Sequence, residues 1–206
     1  MTDQYAFVGD IHGNLDALNG MIDALTLLGR PHLVFLGDYL NKGPHSAAVL
    51  DLLLVKQGRG DATLLAGNHE VALLSALDTG SLTAFIKMGG AVTIWSYLNR
   101  PARPDVLADL RAHLPDNHLA GLRAMPMAWE RDDVTAQHFP APVTGGRFSV
   151  SAHVPVGPLP RITSSSAQLD TGSGSNGERG RLTALLWPSL NYVQVDASGR
   201  RVLGGH

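Results

Sequence analysis

The stretch Tyr5-Ala6-Phe7-Val8-Gly9-Asp10-Ile11-His12-Gly13-Asn14 decides how the chain is read. Tyr5 to Val8 is a short apolar run that reads as a strand, and Gly9 lets the backbone turn sharply after it. Leu15, Leu18, Ile22 and Leu25 then recur at helical spacing until Gly29 closes the segment. The order is strand, loop, helix. The same unit returns as a strand over His32 to Leu36, the loop Gly37-Asp38-Tyr39-Leu40-Asn41-Lys42-Gly43 and a helix from near Pro44 through Lys56. A third copy has a strand at Ala62 to Leu65, the loop Ala66-Gly67-Asn68 and a helix carrying Val71, Leu73, Leu74 and Leu77. Successive βα units imply an α/β fold with parallel strands and helical crossovers, and such folds gather their ligands at the carboxyl ends of the strands.

Further along, Ser81 to Ala124 reads as several short helices, interrupted at Gly89-Gly90 and between Pro101 and Pro104. After Pro126 the texture becomes β. Strands are expected at Met127 to Glu130, Val134 to His138, Phe148 to Ala152, Leu182 to Trp187, Tyr192 to Val195 and Arg201 to Leu203, with turns such as Asp132-Asp133 between them. The stretch from Thr163 to Gly180 is rich in Ser and Gly and is expected to be loop. With 206 residues and no clean linker, the expectation is one domain: βα units over 1–100, a helical segment over 101–130 and a mainly β half over 131–206.

Composition narrows the chemistry. The chain has no cysteine, which removes disulfides, thiolate metal sites and thiol nucleophiles together. Metal or acid–base chemistry must then run through His, Asp, Glu and Asn, donors that suit hard or borderline divalent ions. A net charge of −2 argues against nucleic acid as a partner. No stretch approaches a bilayer span, and the first ten residues lack the basic and apolar regions of a secretory signal, so a cytoplasmic location is expected.

Each of the three strand-to-helix loops begins with Gly-Asp or Gly-Asn, and 28 residues separate Asp10 from Asp38 while 30 separate Asp38 from Asn68. A lone Gly-Asp after a strand is usually a turn or a helix cap. Three on successive strands, carrying Asp10, His12, Asp38, Asn68 and His69, point to one convergent polar site.

These loops resemble the GDxHG, GDxxDRG and GNHE motifs of the calcineurin-like metallophosphoesterases, in particular the serine/threonine phosphoprotein phosphatases of bacteria and phage and the symmetrical bis(nucleosyl)-tetraphosphatases. The resemblance is strong over residues 1 to about 100 and looser beyond. It implies a four-layer α/β/β/α sandwich with a dinuclear metal site at the strand ends and, in this chain, a shortened cap region. Carried over, Asp10 and His12 would bind the first of two divalent ions, Asp38 would bridge both, and Asn68 would bind the second and help hold substrate. Manganese is the first expectation, with Fe, Zn or Co as alternatives. A metal-bridging hydroxide would attack phosphorus, and His69 would protonate the leaving oxygen. Glu70 is expected to support structure through hydrogen bonds. His153, in Ser151-Ala152-His153-Val154-Pro155, resembles the GHTP histidine and would join the second metal. His138 stands where the HAG motif belongs, without its Ala and Gly, and is a candidate for the same metal or for a structural role. His32, His45, His113, His118 and His206 match no motif.

Four departures from the family pattern stand out. Asn41 replaces the Asp that orients the catalytic histidine; it is expected to accept a hydrogen bond from His69 without stabilising its imidazolium. Lys42 replaces a phosphate-binding Arg and keeps the charge without the fork. Ala66 replaces another Arg, and only 15 residues separate His138 from His153, where a further phosphate-binding Arg is usual; Arg147 is the substitute available. The resemblance implies a serine/threonine phosphatase-like phosphomonoesterase acting on a phosphorylated protein. Symmetrical hydrolysis of diadenosine tetraphosphate, a nucleotide-type substrate, is the second reading. A metal-binding pseudo-phosphatase that recognises a phosphorylated partner is the third.

Overall fold

In the computed structural model, residues 4–131, 133–141 and 145–202 are described. Asp132 of the expected turn, Leu203 of the last expected strand and His206 lie outside them. The three βα units form as read: β1 (Tyr5–Val8) leads to α1 (Leu15–Leu27), β2 (His32–Phe35) to α2 (Ser46–Gly58) and β3 (Ala62–Leu64) to α3 (Asn68–Thr79). Four short helices follow: α4 (Thr83–Lys87), α5 (Gly90–Leu98), α6 (Val106–His113) and α7 (Asp116–Ala124). The break between α4 and α5 falls on Gly89, which takes a left-handed φ of 86°.

The first sheet has the strand order β11-β10-β9-β1-β2-β3, where β9 is Arg181–Trp187, β10 is Tyr192–Asp196 and β11 is Arg201–Val202. β1 pairs parallel with β2 and β2 with β3, while β9 runs antiparallel beside β1. The second sheet has the order β4-β5-β6-β8-β7, built from β4 (Ala128–Glu130), β5 (Val134–Gln137), β6 (Phe148–Ser151), β7 (Arg161–Ile162) and β8 (Ser166–Gln168). The Ser/Gly-rich stretch expected to be loop therefore holds a strand, β8, paired parallel to β6. Its inward residue is Ala167, and Ser166 and Gln168 flank it on the other face, so its sequence carries almost no hydrophobic signal.

Alternation along β1 explains the sandwich. Ala6 and Val8 point into a core shared with the helices, whereas Phe7 points into a second core between the sheets, with Val34, Leu36, Leu65, Trp129, Val134, Ala136 and Val150. A central strand buried on both faces must be apolar throughout, as this one is. The two sheets flanked by helices expected from the sequence are present. The helical cover is heaviest on the first sheet, where α1 packs on β9 and β10 and α2 on β3. On the second sheet the residues alternating with the inter-sheet core are polar: Thr135, Gln137, Ser166 and Gln168 are half-buried, and Ser149 and Ser151 on β6 are buried.

Candidate active site

The ends of β1, β2 and β3 meet because two glycines let their loops touch. Gly37 takes a φ of 106°, and a Cβ there would lie 2.6 Å from the backbone nitrogen of Gly67. A Cβ on Gly67 would collide with Asp38 Oδ1. Neither position admits a larger residue without moving the loops apart. Glu70 completes the clamp. Its buried carboxylate accepts from the backbone N–H groups of Asp38 (2.8 Å), Tyr39 (2.9 Å), Leu40 (3.3 Å) and Gly67 (2.9 Å), the structural role expected of it. Tyr39 is fully buried, and its hydroxyl donates to the carbonyl of Leu65 at 2.7 Å, tying the second loop to the end of β3.

Five of the residues named from the sequence, His12, Asp38, Asn41, Lys42 and His153, are non-glycine residues with φ between 49° and 68°. Left-handed backbone at such residues is uncommon and is held only where surrounding contacts over-determine it. It turns these side chains inward from the strand ends.

Six metal candidates converge. His12 Nε2 lies 3.6 Å from Asp10 Oδ2 and 3.7 Å from Asp38 Oδ2, and His69 Nε2 lies 3.7 Å from the same Asp38 oxygen. His138 Nε2 is 3.4 Å from Asp38 Oδ1, 2.8 Å from Asn68 Oδ1 and 3.2 Å from His153 Nδ1. The ligand-capable atoms of His12, Asp38 and His69 form one group within 4.8 Å, and those of Asp38, His138 and His153 form another, so Asp38 belongs to both. His138, which the sequence left between a metal and a structural role, stands inside the second group.

The donor set suits divalent ions. The Nδ1 atoms of His12 and His138 each donate to a backbone carbonyl, Leu40 and Leu36 respectively, at 3.0 Å, which directs both Nε2 atoms at the carboxylates. A second-sphere hydrogen bond of this kind fixes a ligand histidine's orientation. Asp10 and Asp38 are both buried, and Asp170 adds a third buried carboxylate nearby. Burial and then the charge of Asp38 push Asp10 well above the ordinary carboxylate range. Burial pushes Asp38 the same way, but the hydrogen bond and charge of His138, with the charges of His69 and His12, hold it at about 2. Burial by itself would lower His138, yet Asp38 and Asp10 raise it to about 9. The buried acids are thus partnered by a protonated imidazole, and a bound cation would serve them in its place. His12 falls to about 4, chiefly by burial.

Lys42 Nζ donates to His12 Nε2 at 2.7 Å and to Ser175 Oγ at 2.9 Å, which places its ammonium beside the first group. Asn41 adjoins His69, but with the polarity opposite to that expected. Asn41 Nδ2 is 2.6 Å from His69 Nδ1, while Asn41 Oδ1 accepts from Thr93 Oγ1 at 2.7 Å. The amide therefore donates to His69. Thr93 and Ser46, which the sequence did not single out, are both fully buried and both accept from the Asn41 N–H. Phe139 was also missed. Its ring lies 4.4 Å from that of His153 and 4.9 Å from that of His138, and it is 42% exposed at the rim. Arg147, the available substitute for a phosphate-binding Arg, pairs with Glu130 at 2.9 Å on the second sheet. His32 bonds Thr63, His113 bonds the Asp109 carbonyl and His118 lies between Asp51 and Tyr97, which agrees with their matching no motif.

The model of the calcineurin-like phosphoesterase family matches residues 4–168. The chain belongs to that family. The chain is 25% identical to the asymmetrical bis(5′-nucleosyl)-tetraphosphatase PrpE of Halalkalibacterium halodurans over 93% of each chain. It is 36% identical to a symmetrical bis(5′-nucleosyl)-tetraphosphatase of Acidovorax ebreus, over 59% of this chain and 37% of the relative. Against serine/threonine-protein phosphatase 2 of Escherichia coli the identity is 34%, over 40% of this chain and 37% of the relative. Several curated relatives are spanned over only a part of their length, 23%, 18% and 37% in three cases. Among solved structures, a cold-active protein-tyrosine phosphatase from a psychrophilic Shewanella shares the fold, with a TM-score of 0.62 at 16% identity, covering 98% of this chain and 80% of that one. The chain has no helix among its described residues that is long and apolar enough to cross a membrane.

Proposed function

We propose that this metallophosphoesterase hydrolyses phosphate esters on a pair of divalent ions, one held by Asp10, His12 and Asp38 and the other by Asp38, Asn68, His138 and His153. The observation that carries this reading is the membership of Asp38 in both histidine groups, since a carboxylate with one oxygen toward each can screen two neighbouring cations from each other. The mixed N/O donors are compatible with manganese first, and with Fe, Zn or Co. Bound there, the ions would polarise phosphate and activate water. The chain's own residues do the rest. Lys42, already extended toward the first group, binds a phosphoryl oxygen as a point charge. Asn68 donates through its amide to another. His69, with Nε2 facing Asp38 Oδ2, meets the leaving oxygen.

Two substrate classes remain in view, a phosphorylated protein and a dinucleoside polyphosphate. One observation favours the second: Phe139 presents a partly exposed ring beside His153, a face on which a nucleobase can stack. The near full-length match to PrpE points the same way. Metal analysis with hydrolysis of p-nitrophenyl phosphate in Mn²⁺, comparing the parent with Asp38→Ala, tests the reading. Loss of both metal and turnover in the variant supports it. Equal residual rates would instead make the chain a binding module.

A further inference from the structure

A cavity of about 430 Å³ opens at the end of the first sheet opposite the active site, a volume within the roughly 300–1,000 Å³ of small-molecule sites. It lies where the turn from α1 into β2 and the turn from α2 into β3 run side by side, because β2 and β3 pair in parallel from Leu33 and Ala62 onward. Ile22, Leu25 and Leu33 give it an apolar wall, and Arg30, Lys56 and Arg59 join them in the lining. His32 opens β2 at the cavity and Asp38 follows the far end of the same strand, so the two places stand roughly 20 Å apart along the chain.

The three cations have no partner among the described residues. Elsewhere on the surface Arg100, Arg123 and Arg147 each pair with a carboxylate, whereas the side chains of Arg30, Lys56 and Arg59 neither pair with Asp61 in the same lining nor donate to a carbonyl. The last turns of α1 and α2 also line the cavity, and each helix end carries roughly half a negative charge. Three full positive charges outweigh these ends and Asp61, so the cavity is a positive focus on a chain of net charge −2. Arg30 has a left-handed φ of 57°, a backbone that Asn or Gly adopts more easily. The turn's own geometry therefore gives no reason for an arginine at this position.

We propose that this cavity is a second ligand site, for a small organic phosphate whose apolar body rests against Ile22, Leu25 and Leu33 while Arg30, Lys56 and Arg59 hold two or more negative charges. The arginine forks take phosphate oxygens in pairs, and the lysine takes one as a point charge. Charge or body by itself binds weakly, because the cations are open to water and the apolar wall is small. The site lies apart from Asp38 and its partners, and it stands independently of the phosphoesterase reading.

Calorimetric titration of the metal-free protein with ATP, inorganic tripolyphosphate and adenosine tests this without turnover. ATP carries both body and charge and should bind about tenfold tighter than tripolyphosphate, with adenosine weaker still. Lys56→Ala and Arg59→Ala should each weaken ATP binding about tenfold, the worth of one charged hydrogen bond, and should melt as the parent does. Arg30→Asn should weaken it as much while unfolding at the parent's temperature or above, because asparagine suits the left-handed turn. Lys42→Ala, in the catalytic site, should bind ATP as the parent does. The ring signals of His32, assigned through His32→Gln, should shift during the titration of the parent and of Lys42→Ala alike. ATP binding that Lys42→Ala abolishes and the Lys56 and Arg59 variants leave intact would put the nucleotide in the catalytic site and overturn the proposal. A parent that does not bind ATP would overturn it as well. So would tripolyphosphate binding as tightly as ATP, since the ligand class requires an organic body.

Discussion

His138 stands with Nε2 3.4 Å from Asp38 Oδ1, and its Nδ1 donates to the carbonyl of Leu36, so a residue from the second sheet is pinned against the end of β2 in the first. The contact joins the two halves of the sandwich at the site itself.

The same contact makes metal affinity depend on pH. Asp38 and Asp10 raise His138 to about 9 against the opposing effect of burial, whereas a metal ligand must offer a neutral lone pair. Below that pH a proton must leave before metal can bind, so apparent affinity rises with pH, by up to about tenfold per unit, and levels off above about 9. Calorimetric Mn²⁺ titrations in buffers of different ionisation enthalpy should show proton release in the parent and less of it in His138→Gln. Affinity that falls or stays level between neutral pH and about 9 would contradict the geometry.

Glu70 is expected to matter for folding more than for turnover chemistry. Its four backbone partners all donate, and Glu70→Gln turns one acceptor oxygen into a donor facing N–H groups. The mismatch should cost about 2–4 kcal/mol, or a fall in Tm of roughly 5–15 °C. Thermal unfolding of the metal-free proteins measures it. A variant as stable as the parent would show that the clamp is not holding the loops.

Lys42→Ala should raise KM for small phosphate esters about tenfold with a smaller effect on kcat, since it removes a charge that binds phosphate in ground and transition states alike. Lys42→Arg, with two forked donors, should bind substrate at least as tightly as the parent. Steady-state kinetics settles both, and an unchanged KM in Lys42→Ala would remove Lys42 from the phosphate site.

Much of this was legible in the sequence, for local reasons. Gly9-Asp10, Gly37-Asp38 and Gly67-Asn68 each follow a strand and open toward a helix, so the loops announce the fold and the polar side chains that it brings together. His153 was readable from its neighbours for the same reason. What escaped depends on contacts that no local pattern carries. Thr93 lies 52 residues from Asn41 and reads as one more position in a helix, yet its hydroxyl decides which end of the Asn41 amide meets His69. Phe139 reads as a lone apolar residue in a turn until His138 and His153 are brought beneath it. The strand β8 was hidden because it has three residues, small or polar, of which only Ala167 is fully buried.

Anomalous diffraction from Mn²⁺-soaked crystals tests the paired-ion site most directly. Two peaks are expected, one contacting Asp10 and His12 and the other contacting Asn68, His138 and His153, with Asp38 touching both. A single peak, or two peaks that do not share Asp38, would contradict it.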